Sequence, residues 1–226
     1  MRELGRNMAW LLRCIEAGRA AGIDSQNIGG IMPKEILSYY LKNRDSQIRL
    51  GFQIALQCAP FLKRLKVSCV ITMDAGLYGT LEKIFRGMDI AWHCLSQSEG
   101  KCLILFYRPL QMEEYLSEGK VRALLREYGY GGMDLEEMLD RLSGRIRAFS
   151  GKGMGFPHEI GAFLGYPVED VRGFIENEGQ KYLMIGYWKV YNDLACARVT
   201  FKEYDRAKNC AVNEFLIGKS IREIAL

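Results

Sequence analysis

Residues 102–107, Cys-Leu-Ile-Leu-Phe-Tyr, are the longest purely apolar stretch in this 226-residue chain, and they constrain its fold more than any other feature. A membrane helix needs roughly 18–20 apolar residues, so a run this short does not span a bilayer. It reads as a strand with no polar face, and such a strand has to be covered on both sides. Ile90–Leu95 reads as a second strand. The polar Ser96-Gln97-Ser98-Glu99-Gly100 joins the two as a hairpin with a longer loop. Lys66–Thr72 and Tyr182–Tyr191 also read as strands, the latter with a bend at Gly186.

Helical periodicity fills most of the remainder. A helix is expected from residue 46 to Gln57, and another from Leu77 to Arg86, closed by Gly87. Val121, Leu124, Leu125 and Tyr128 share a helical face that Gly129 ends. Asp134 and Glu137 stand at capping-box spacing, ahead of a stripe of Leu135, Met138, Leu139, Leu142, Ile146 and Phe149. Pro157–Leu164 and Pro167–Asn177 read as two short helices that begin on proline and exit at Gly165 and Gly179. A long helix runs from about Asp193 to Leu216, and Ser220 with Glu223 caps a last turn. The expected fold is α+β, a small sheet of about three to four strands with helices packed over it.

Residues 1–45 are expected to form a helical extension to a globular domain at 46–226. Leu4, Met8, Leu11, Leu12 and Ile15 mark one amphipathic helix there, Pro33 begins a second, and Lys42–Ser46 reads as a linker. The N-terminus lacks an apolar signal core, and seven cysteines with no C-x-x-C pair suit reduced thiols. The chain is therefore expected to be soluble and cytoplasmic, with no membrane partner.

One segment is distinctive: Phe156-Pro157-His158-Glu159-Ile160-Gly161-Ala162-Phe163-Leu164-Gly165-Tyr166-Pro167-Val168-Glu169-Asp170-Val171. Gly173-Phe174-Ile175-Glu176-Asn177 and Gly186-Tyr187-Trp188-Lys189-Val190-Tyr191 follow it. With Cys58-Ala59-Pro60, Lys66 and the Leu124-Leu125…Gly129-Tyr130 step, this resembles the bacterial domain-of-unknown-function family thirty-seven ninety-three, over about residues 48–220. The resemblance implies a family identity and a bacterial cytoplasmic origin. It supplies no reaction, cofactor or catalytic residue.

Three chemistries compete for that segment. Its two short helices have helix-turn-helix spacing, but residues 156–179 hold one arginine against five acids, which phosphates would repel. Nucleic acid is thus not expected as a partner, although the chain as a whole carries a net charge of +4. A small-molecule site is the leading reading. Gly151, Lys152, Gly153 and Gly155 precede a helix start where free N–H groups favour an anion, Arg145 and Arg147 add charge, His158 can donate, and Trp188 offers a wall. The loop follows a helix and not a strand, and it lacks the P-loop lysine pattern, so a plain surface loop is the alternative. The third reading is thiol chemistry, in which Cys58 and His158 meet in space as a nucleophile pair. Against it, most such cysteines are small core residues.

Metal binding is not expected, because His93 and His158 form no spaced pair and His93 suits a satisfied core or edge position. Glu113-Glu114 and Glu136-Glu137 read as solvated pairs, and Tyr182, Tyr187, Trp188 and Tyr191 as packing aromatics. The expected function is a binder, or an enzyme of unknown reaction, for an anionic small molecule, with no cofactor specified. The alternative is an interaction protein that uses its N-terminal helices or its acidic hairpin. A binder should show a concave pocket holding His158.

Overall fold

A computed structural model describes residues 40, 42–149 and 155–225. The N-terminal helices expected over residues 3–21 and from Pro33, and Gly151, Lys152 and Gly153, lie outside the described residues.

The chain is an α+β fold built on the apolar run. β1 (Ser68–Asp74), β2 (Ala91–Ser98) and β3 (Lys101–Tyr107) form an antiparallel sheet in the order β1-β3-β2. β3 is the middle strand and is covered on both faces, as its composition requires. Cys102, Ile104 and Phe106 face one core with Ile71 of β1. That core is covered by α1 (Ser46–Gln57), α2 (Ala59–Leu62), α3 (Tyr78–Phe85), and by Ala211, Ile221 and Ile224 of the C-terminal helices. Leu103 and Leu105 face a second core with Leu95. It is covered by α4 (Pro109–Ser117), α5 (Gly119–Glu127), α6 (Leu135–Phe149), α7 (Ile160–Phe163) and α8 (Val168–Glu176).

The β2–β3 connection is tighter than expected. Ser98 pairs with Lys101, and only Glu99 and Gly100 turn the chain, with φ of 50° and 73°. Two left-handed residues match the twist of a hairpin, so the polar residues before them extend β2 instead of lengthening a loop. A bulge between Cys94 and Ser96 keeps Leu95 fully buried.

The strand expected at Tyr182–Tyr191 is instead a small hairpin of β4 (Met184–Ile185) and β5 (Lys189–Val190). The bend at Gly186 is a full reversal, where Gly186 N–H donates to Trp188 O at 3.0 Å. A Cβ at Gly186 would overlap the ring of Phe201, so only glycine lets the hairpin lie against the helix behind it. That helix is α9 (Leu194–Leu216), followed by α10 (Ile221–Ile224).

Both expected capping boxes form. Glu137 N–H donates to Asp134 Oδ1 and Asp134 N–H to Glu137 Oε2, each at 2.9 Å, and Ser220 with Glu223 does the same for α10. Only His158 and Glu159 turn the chain ahead of Ile160, so the first short helix is α7 alone and does not begin on Pro157. Arg108, 2% exposed, ties the layers at one end of the sheet by donating to Phe61 O (2.8 Å) and pairing with Asp89 (3.3 Å). Outside β1, Gln53 Nε2 donates to Thr72 O at 2.8 Å.

Candidate functional site

The distinctive segment folds into a knot around two buried carboxylates. Glu159, fully buried, accepts from Arg145 Nε of α6, from Arg145 Nη2 at 3.4 Å and from Tyr130 Oη at 3.1 Å. Asp170, 3% exposed, accepts from Trp188 Nε1 (2.7 Å) and from the backbone N–H groups of Tyr191 (2.8 Å) and Asn192 (2.9 Å). A buried carboxylate is tolerated only when its oxygens are satisfied this fully. The glycines make the knot compact. A Cβ at Gly173 would meet Tyr191 at 2.5 Å, and one at Gly161 would meet Val171 at 2.9 Å.

Of the residues expected to bind a ligand, His158 and Trp188 are absorbed by this packing, while Gly151, Lys152 and Gly153 lie outside the described residues. His158 is half-buried, its ring 5.2 Å from Phe156 and 5.1 Å from Phe174. Burial holds its imidazole below the ordinary value, so it is uncharged near neutral pH and offers no cation. Trp188 is 8% exposed, edge-on to Phe201 at 4.5 Å and stacked on Tyr166 at 5.4 Å, so it walls a core. Gly155 is exposed. Arg145, expected to charge the glycine loop, is committed to Glu159.

The titratable groups around Cys58 are Cys69 and Lys66, and His158 is not among them. Burial, and then hydrogen bonding with Cys69, raise the Cys58 thiol well above its ordinary value, which disfavours a thiolate. Lys66 is half-buried with its ammonium 5.1 Å from the centre of the Tyr166 ring, and burial lowers its pKa. His93 Nε2 hydrogen-bonds Ser143 Oγ at 2.7 Å, the satisfied position its strand suggests. Among the described residues no cluster of three His, Cys, Asp or Glu side chains suits a metal, and no helix is long and apolar enough to cross a membrane. The outer face of α8 is tied to α5 by Lys120–Glu169 (2.5 Å) and Arg172–Glu127 (2.6 Å).

A cavity of about 590 Å³ opens elsewhere, between α4, α5, α6 and the 128–134 turn. Leu116, Leu125, Met133, Leu135 and Met138 give it an apolar floor. Arg122 and Arg126, one helical turn apart on α5, and the acids Glu113 and Asp134 stand around it. Both arginines are exposed, and neither makes an ion pair among the described residues. Gly129 and Gly132 take φ of 82° and 81° in the turn. A Cβ at Gly129 would meet Arg141 Nη2 at 2.5 Å.

Tyr130 lines the cavity while its hydroxyl donates to Glu159, so the buried carboxylate of the distinctive segment fixes part of the cavity wall. The cavity does not hold His158. The sequence reading missed Arg122 and Arg126. The signal available was their i, i+4 spacing just before the Gly131-Gly132 turn.

The family model described as "Protein of unknown function (DUF3793)" matches residues 54–225. No curated protein and no solved structure matches the chain.

Proposed function

Starting from the fact that the chain belongs to the DUF3793 family, whose description assigns no activity, we propose that it binds a small anionic molecule in the cavity between α4, α5 and α6. The observation that carries this reading is the pair of arginines that make no ion pair among the described residues, beside an apolar floor. Two guanidinium groups on one helical face can grip a carboxylate or phosphate in bidentate fashion. The volume of about 590 Å³ lies within the roughly 300–1,000 Å³ common for small-ligand sites. The ligand class is the one expected from sequence, and its seat is different.

Thermal unfolding with inorganic phosphate, succinate, citrate and 4-methylpentanoate tests the proposal. A bound anion should raise Tm, by roughly 2–4 °C per kcal/mol of linked stability for a domain of this size. The rise should vanish in the double variant Arg122→Ala/Arg126→Ala, whose side chains are exposed and whose fold should hold. If Lys152→Ala abolishes the rise instead, the site belongs to the glycine loop. If no anion shifts Tm, the binding proposal fails and an interaction role takes its place.

A further inference from the structure

We infer that the occupant of this cavity is a short apolar peptide with both termini free, about two residues long, an inference that rests on the anion site proposed above. The arginines are not the only charges facing the space. Glu113 of α4 and Asp134 at the start of α6 line it as well. No ion pair joins either acid to either arginine among the described residues. Asp134 spends Oδ1 on the Glu137 N–H at 2.9 Å, which leaves Oδ2 for an occupant. The cavity is therefore lined by cations from α5, anions from α4 and α6, and apolar side chains, with no ion pair between the two signs among the described residues.

A simple anion would satisfy the arginines and face uncompensated acids. A zwitterion matches both signs, its carboxylate on Arg122 and Arg126 and its ammonium toward Glu113 and Asp134. Size narrows the class. A cavity of about 590 Å³ has room for an apolar dipeptide and would be filled only in small part by a single amino acid. Leucine and methionine side chains on the floor suit aliphatic side chains on the ligand, and Met133 and Met138 can adapt to different ones.

Titration calorimetry with leucyl-leucine, N-acetyl-leucyl-leucine and leucyl-leucinamide separates the possibilities. The free dipeptide should bind, and removing either terminal charge should weaken it about tenfold or more. Arg122→Ala/Arg126→Ala should abolish the preference for the free carboxylate. Glu113→Gln/Asp134→Asn, which keeps a capping side chain at 134, should abolish the preference for the free amine. If the acetylated peptide binds as well as the free one while the amide does not, the anion site stands and the peptide inference falls. If all three bind alike, charge recognition is absent and both fall. If none binds while an anion still raises Tm, the inference alone fails.

Discussion

Asp170 is nearly sealed from solvent and accepts from an indole N–H and two backbone N–H groups. Asp170→Ala removes that acceptor and should cost about 3–5 kcal/mol in urea unfolding, with Asp170→Asn recovering part of the loss. His158 and His93 predict the pH behaviour. Burial holds both imidazoles below the ordinary 6.5 in the fold, while the unfolded chain protonates near that value. The unfolded state therefore binds more protons as pH drops below about 6.5, and stability should decline from there downward. His158→Gln should flatten that slope in denaturation curves between pH 7 and 5. An unchanged slope in the variant would remove His158 as a source. At this scale the sequence shows which residues are polar but not what they meet. Arg145 looks like free charge beside a glycine loop until the fold brings Glu159 and Tyr130 to it from other segments. Cys58 is legible as a small core residue, but its thiol neighbour at Cys69 depends on strand packing.

Elements were legible where the deciding contact is local. The boxes at Asp134/Glu137 and Ser220/Glu223 lie within one turn, so spacing alone reveals them. The hairpin at Met184–Val190 was not legible as a reversal, because what demands glycine at 186 is the Phe201 ring on a separate helix. Gly186→Ala should lose about 1–3 kcal/mol, and much of that loss should disappear in a Phe201→Ala background, as a double-mutant cycle on Tm would show. The β2–β3 turn yields a prediction of opposite sign. Glu99 holds a left-handed φ of 50° that asparagine adopts more readily, and Gly100 already suits the second position. Glu99→Asn should raise Tm by a degree or more while leaving the sheet register unchanged.

Across the whole molecule the apolar run at 102–107 was the most legible feature, since a strand without a polar face leaves few architectures open. Its alternate residues join two cores through one backbone. Ile104 and Leu105 are both fully buried, on opposite faces. Ile104→Ala and Leu105→Ala should each cost about 2–5 kcal/mol, and each should speed hydrogen exchange in the helices of both layers, because β3 couples them. Exchange confined to one layer would mean that the cores unfold independently. The cavity was illegible because its walls come from three helices and a turn whose angles no local pattern encodes.

β1 bonds to β3 on one side only. Ala75 N–H donates to Gly100 O, so the odd-numbered residues of β1 turn their peptide groups inward and the Thr72 carbonyl points out. The Gln53 side chain occupies that carbonyl. A foreign strand seeking to extend the sheet from β1 must first displace an amide anchored on a helix, so Gln53 blocks one of the sheet's two edges, and Gln53→Ala should show as turbidity before any loss of secondary structure.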